Sequence, residues 1–294
     1  MANLKAIRVR ISSVKSTRQI TSAMKMVSAA KLRKAQDKIV RLRPYAGKLQ
    51  EIMVGLSQSL AGMEVENIYS RNVSSDRILL VIITSNRGLC GAFNTNVIKE
   101  ARRLISEKYW DQYNKGNVKV LTIGKKGFDF FRKAKVDLLP EQNSLLQNLT
   151  FESVSHVAEQ VMNSFAAGEF DRVELVYNQF KNAAVQNLTS EVFLPIESVQ
   201  EGKSGAVAVD YIYEPDKESI IQDLIPKSLK IQFYKAVLNS FVAEHGARMT
   251  AMHKATDNAT SMIRDLTLQY NKARQSTITN QILEVVSGAE ALRG

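Results

Sequence analysis

Between Met1 and Arg43 there is neither glycine nor proline, and Pro226 is followed by 68 residues without a proline. Glycine and proline are the residues that most often end a helix. The absence of both from the first stretch, and of proline from the second, leaves each end of the chain free to form one long helix. The apolar spacing agrees. Leu4, Ile7, Ile11 and Val14 step by 3, 4 and 3, the seam spacing of a coiled coil. The stripe drifts to Ile20, Met24 and Val27 and resumes at Ile39, Leu42, Leu49, Ile52 and Leu56. Pro44 is expected to bend or interrupt this helix, because it removes one hydrogen bond and crowds the preceding turn.

The other end repeats the pattern. Ile263, Leu266, Tyr270 and Ala273 step by 3, 4 and 3, as do Ile282, Val285, Ala289 and Leu292. Alanines 243, 247, 251, 255 and 259 recur every fourth residue and permit close approach of a partner helix. Helices of roughly 60 to 70 residues are about 90–105 Å long, far beyond the usual ~11–12 residues. A small middle domain cannot cover both stripes along their length. The economical solution is that each covers the other, antiparallel, as one extended two-helix shaft.

The middle alternates strand and helix. Ile78–Thr84 reads as a buried strand, followed by a loop at Ser85–Gly91 and a helix ending near Tyr109. Val118–Ile123 is a second strand and Lys125–Lys133 a short helix, with a weaker strand at Val136–Leu139. A helix at Phe151–Ala167 and strands at Arg172–Phe180 and Thr189–Pro195 follow. Gly202–Gly205 is a loop, and Tyr211–Glu214 leads into the last helix. Such alternation predicts a Rossmann-like, mostly parallel α/β domain with helices on its faces. The expected organisation is a coiled-coil helix over residues 1–60, an α/β domain over 75–200 and a second coiled-coil helix over 211–294.

Charge is concentrated at one end. The formal net charge is +11, and residues 1–60 hold all of it; the remainder of the chain is balanced. A cluster of that kind predicts an acidic partner: nucleic acid, anionic lipid or an acidic protein surface. Met1–Gln36 contains no acid and is rich in Arg, Lys and Ser, like an organellar presequence, but no cleavage signal follows and the helical pattern continues past Asp37. No aromatic precedes Tyr45, which disfavours single-strand nucleic-acid binding by stacking. The longest aliphatic run, Ile78 to Ile83, is far short of the roughly 20 residues that span a bilayer. Membrane association is therefore expected to be peripheral.

Catalytic chemistry is scarce. Cys90 is the sole cysteine, with no histidine near it in sequence. His245 and His253 lie eight residues apart, about 12 Å along a helix and too far to share a metal. Both read as solvent or contact residues. Asn86-Arg87-Gly88-Leu89-Cys90-Gly91 and Gly124-Lys125-Lys126-Gly127 follow strands and precede helices. They are either a phosphate cradle or simply tight turns, and neither matches GxGxxG or a Walker loop. No cofactor, metal site or catalytic set is expected.

Three blocks are more specific. Residues 7–36, IRVRISSVKSTRQITSAMKMVSAAKLRKAQ, with RPYA at 43–46, resemble the N-terminal helix of the gamma-subunit family of rotary ATP synthases. TSNRGLCGAFN at 84–94 looks like that family's first strand-to-helix turn. YIYEP at 211–215, ARMTAMHKATDNAT at 247–260 and LQYNKARQSTITNQILEVVSGAEAL at 268–292 are similar to its C-terminal helix.

The resemblance implies a central stalk that turns inside a ring of alpha and beta subunits and stands on the membrane rotor ring, without bond chemistry of its own. It implies that Met24 and Lys25 face an acidic lever loop of the beta subunit, with Arg248 in the same contact region. Arg274 and Gln275 match a polar catch to the beta subunits, with Thr279 one turn further on. Tyr211, Tyr213 and Glu214 match the part that touches the rotor ring and the epsilon subunit. Gln281 stands where the family commonly has Glu, so a charge role there would be lost. The implied location is the cytoplasmic face of a bacterial inner membrane, peripherally bound, with no nucleic-acid partner. Two rivals remain: an α/β enzyme with helical arms, and a nucleic-acid-binding coiled coil.

Overall fold

The computed structural model describes residues 4–59, 68–70, 75–196 and 217–292. Helix α1 spans Leu4–Ser59, and the chain then enters a domain built from β1 (Ile78–Ile83) and α2 (Phe93–Arg103). There follow α3 (Trp110–Asn114), β2 (Val118–Ile123), α4 (Lys125–Lys133), β3 (Asp137–Leu138), α5 (Phe151–Ala166), β4 (Arg172–Phe180) and β5 (Gln186–Leu194). Helix α6, Lys217–Ala291, closes the chain. The expected loop at Gly202–Gly205 and the residues Tyr211–Glu214 lie outside the described residues.

The sheet order is β3-β2-β1-β4-β5. β1 pairs in parallel with both β2 and β4, β2 pairs in parallel with β3, and β5 runs antiparallel to β4. All six residues of β1 are buried, as a central parallel strand covered on both faces requires. On one face Leu80, Ile82, Val120 and Val176 pack with Val97, Ala101 and Tyr109. On the other, Phe193 of β5 meets Phe233 of α6 edge-to-face at 5.4 Å, and Phe151 of α5 meets Tyr234 at 5.5 Å. β5 begins three residues before the expected strand, because Gln186, Asn187 and Leu188 extend the ladder opposite Phe180, Gln179 and Asn178.

The chain divides into two compact units, Ala30–Ala247 and Met1–Ala29 with Arg248–Gly294. The divisions fall inside the two long helices. In the larger unit, α1 contributes the buried Leu32, Ala35 and Leu49, and its Lys38 ammonium donates to the Leu149 carbonyl at 2.8 Å.

Pro44 does not interrupt α1, which runs through it. The carbonyl deprived of its donor is that of Val40, on an exposed face where water can satisfy it. The helix expected to reach Tyr109 also differs. Past Arg103 it widens into a π-helix over Leu104–Lys108, closed by Tyr109 N–H to Leu104 O at 3.0 Å. The wider turn presents Lys108 and Tyr109 to Glu174, whose side chain is 1% exposed on β4. The Lys108 ammonium and Tyr109 hydroxyl both donate to Glu174 Oε1 at 2.5 Å, and Arg172 Nε at 2.9 Å.

Burial alone would raise the Glu174 pKa, but these three donors outweigh it and hold the carboxyl below the usual carboxylate range. Burial and the Glu174 carboxylate together push the Tyr109 phenol up. A depressed carboxyl pKa contributes stability above the unfolded value, and the contribution is lost as pH falls through the folded one. Glu174→Gln should therefore lower unfolding stability at neutral pH by about 1–3 kcal/mol. The deficit against the unmodified chain should shrink in acid, as urea titrations at neutral and acid pH would show.

Candidate partner-binding surface

The smaller unit consists of the first part of α1 and the last part of α6. Arg8 donates from its guanidinium to the Tyr270 hydroxyl at 2.6 Å and lies 5.6 Å from the ring centroid. Thr256 donates to Thr21 Oγ1 at 2.9 Å. Moving 13 residues forward along α1, from Arg8 to Thr21, matches moving 14 back along α6, from Tyr270 to Thr256. The two helices are therefore antiparallel, as the stripes predict.

The seam is the expected one at Leu4, Ile7, Ile11 and Val14, each partly buried beside exposed neighbours, and departs from it further along α1. Ile20 and Val27, placed on the apolar stripe, are 60% and 58% exposed, while Thr21 and Ser28 are buried beside them in sequence. The partner side is lined by Met252, Ala259 and Leu266. Small side chains let the helix axes approach, and a hydroxyl buried there must bond locally. Thr21 donates to the Arg18 carbonyl and Ser28 to that of Met24, and the single hydroxyl proton of Thr256 is placed between the Met252 carbonyl at 2.8 Å and Thr21 Oγ1 at 2.9 Å. Ile20, Met26 and Val27 are thus left facing outward among basic residues. Apolar periodicity missed this face because it assigned the larger residues to the core.

The pairing has a defined end. The register puts Leu4, where α1 begins, level with about residue 274 of α6. Beyond it Ile282, Val285 and Leu292 have no partner strand among the described residues, and Val285 and Leu292 are 72% and 89% exposed. The second apolar stripe of α6, expected to be covered by α1, lies beyond the described part of α1, which begins level with about residue 274.

The sites implied by resemblance fall into four groups. Arg274, Gln275 and Thr279 are exposed on one stretch of α6, where Thr279 donates back to the Gln275 carbonyl at 3.0 Å. Met24 and Lys25 are half-buried on α1. Arg248 is 7% exposed and so does not stand at the surface. Tyr211, Tyr213 and Glu214 lie outside the described residues. His245, expected as a solvent or contact residue, is buried and packs edge-on against Phe241 at 4.5 Å. His253 is exposed, 3.5 Å from Asp257.

The two glycine turns can be judged by their donors. The first three amides of α4 are all engaged: Lys125 N–H to Asn86 Oδ1, Lys126 N–H to the Ser85 carbonyl and Gly127 N–H to Thr84 Oγ1. Gly124 has φ +111, and a Cβ there would lie 2.3 Å from the Thr84 carbonyl oxygen. The glycines make close turns, and no amide of that turn is left for a phosphate. The space beyond β1 and β4 is filled by the chain itself, since Cys90 and Phe93 pack on Ala243 and Ala247 of α6. Among the described residues no group of three His, Cys, Asp or Glu side chains is placed to hold a metal.

The ATP synthase family model matches residues 3–292. The chain is 56% identical over its whole length to the ATP synthase gamma chain of Flavobacterium johnsoniae, also over that protein's whole length. It is 54% identical to that of Flavobacterium psychrophilum, again with full coverage of both. The chain belongs to the ATP synthase gamma chain family. Among solved structures it resembles a chain of the Tetrahymena thermophila mitochondrial ATP synthase central stalk and c-ring. That likeness has a TM-score of 0.57 and 26% identity, covering 80% of this chain and 99% of that one. A chain of the Euglena gracilis mitochondrial ATP synthase shares the fold, with a TM-score of 0.67 and 23% identity, covering 98% of this chain and 94% of that one.

The seam of this gamma chain family member is small by construction. Ser28→Leu should overpack it and cost about 1–3 kcal/mol, read as an earlier loss of helical circular dichroism on heating. Val27→Ser, on the outward face, should stay within about 0.5 kcal/mol of the unmodified chain. A reading from apolar periodicity alone predicts the opposite order.

Proposed function

We propose that this chain is the central stalk of a rotary ATP synthase, coupling ion flow through the membrane sector to ATP synthesis or hydrolysis at the beta subunits. The observation that carries the reading is membership of the gamma chain family from residue 3 to residue 292. An antiparallel helix pair suits the task, because two packed helices resist bending and twisting better than one.

Ion flow would turn the ring, the stalk would turn with it, and its unlike faces would push each beta subunit in turn through its nucleotide-binding states. Moving one charge through 100 mV yields about 2.3 kcal/mol, so several ions contribute to each ATP. The chain has no catalytic role of its own in this scheme.

The partners are the alpha and beta subunits, the epsilon subunit and the c-ring. Met24 and Lys25 on α1 would meet an acidic beta-subunit loop, for which the basic N-terminal helix supplies the complementary charge. Arg248 would join that contact after its side chain is released from packing. Arg274, Gln275 and Thr279 form an exposed polar strip for a second beta-subunit contact, and Tyr211, Tyr213 and Glu214 would serve the ring and epsilon subunit. No described helix is long and apolar enough to cross a membrane, in keeping with peripheral attachment on the cytoplasmic face of a bacterial inner membrane.

Affinity purification of the chain from its own cells should bring alpha, beta and epsilon subunits with it; a chain recovered alone where an intact synthase is present would sink the reading. Met24→Lys, which places a new cation opposite the acidic loop, should reduce ATP-driven proton pumping several-fold while leaving assembly intact. Pumping at the unmodified level would remove Met24 from the contact. Duplex DNA binding that persists at physiological salt would favour the nucleic-acid alternative.

A further inference from the structure

Helix α6 carries one glycine between Lys217 and Ser287, Gly246, and the structure shows why it stands there. A Cβ at Gly246 would lie 3.3 Å from the Cα of Ala183, 3.4 Å from its carbonyl oxygen and 3.4 Å from Phe180 Cε2. The helix is pressed against the turn between β4 and β5. That turn is fixed by Asn182, whose Oδ1 accepts from Ala184 N–H at 2.9 Å and Val185 N–H at 2.7 Å.

Ala243 and Ala247, one turn apart on the same helix, seat against Cys90 and Phe93. The turn bearing Cys90 is also fixed. Ser85 N–H donates to Asn94 Oδ1 at 2.9 Å, Ser85 Oγ to the Arg87 carbonyl at 2.7 Å and Asn94 Nδ2 to Cys90 Sγ at 3.2 Å. Asn178 Nδ2 donates to the Phe93 carbonyl at 3.0 Å. Every residue from Val242 to Ala247 is buried, more than one full helical turn.

We infer that the turns at 85–93 and 180–185 form a clamp that locks α6 against rotation about its axis and against sliding, with Gly246 as the positioning residue. The inference rests on the stalk reading and adds where the α/β unit grips the helix. The argument is geometric. A helix turned by one residue, about 100°, would bring His245 to the place of Gly246 in one sense, and Glu244 and Arg248 to the places of Ala243 and Ala247 in the other. A helix shifted by four residues, a little over one turn, would put Val242 or Thr250 where Gly246 sits, and neither fits 3.3 Å from the Ala183 Cα. The lock is therefore indexed in both directions by Ala243, Gly246 and Ala247 together. Any torque carried along α6 enters or leaves the α/β unit through residues 217–247, and Ala243, Gly246 and Ala247 are the rigidly seated part of that length.

The test uses the whole ATP synthase, with its hexamer fixed and a bead on the ring, and reads the thermal angular fluctuations of the stalled rotor. Gly246→Val should broaden the angular variance about twofold at an unchanged rate of hexamer ATP hydrolysis. Gly246→Ala, which needs only slight give from Ala183, should stay near the unmodified value. If the valine variant fails to assemble, Asn182→Ala decides: it loosens the clamp wall without adding bulk and should broaden the variance likewise. Unmodified stiffness in an assembled Gly246→Val or Asn182→Ala complex overturns the clamp. Absence of any rotation of the unmodified chain overturns the stalk reading instead.

Discussion

Close approach of the two terminal helices is the constraint on which the smaller unit depends. A long helix without a partner exposes its apolar stripe to water along its whole length, and helix propensity alone does not compensate. Here the partner is the other end of the same chain. The approach is set by Thr21 and Ser28 on one side and Ala259 on the other, with Met252 and Leu266 filling the wider places. Hydroxyls in that seam are tolerable because each finds a carbonyl one turn back. The larger apolar residues, displaced from the seam, become surface. The same packing choice therefore gives both the stiffness of the pair and the outward face of α1.

Helix α6 serves two cores in succession. Up to Ala247 it packs with the sheet and α5, where Phe233 meets Phe193 and Tyr234 meets Phe151. From Arg248 onward it belongs to the two-helix unit. A single stripe cannot serve two different neighbours, so its apolar pattern is not uniform. The alanines at every fourth position bridge the change because a small side chain fits either environment.

The sheet edge that commonly binds ligands in open α/β folds lies beyond the carboxyl ends of the strands, where strand order reverses. In this chain that edge lies at β1 and β4. The turn after β1 accepts the first amides of α4 at Asn86, Ser85 and Thr84, and α6 packs on Cys90 and Phe93 beside it. A nucleotide-like architecture has been turned into a mount for a helix. Elsewhere in the same domain a buried carboxylate, Glu174, is held by Arg172 of its own strand and by Lys108 and Tyr109, which a π-helix brings to it.

The sequence by itself determined the long terminal helices, their antiparallel pairing, the strand-helix alternation and the family. These follow from local signals: absence of helix breakers, apolar period, and residue blocks that match in order. Tertiary structure alone decided which residues are core. Val27 and Ser28 are neighbours with opposite fates, and only the distance between two helix axes settles which of them faces inward. His245, read as a solvent or contact residue, is enclosed with its helix, and Pro44, read as a bend or an interruption, leaves α1 uninterrupted beside the exposed Val40. In each case the deciding quantity is the environment around the residue in the folded chain, which distant segments supply or leave open and which leaves no mark in the local pattern.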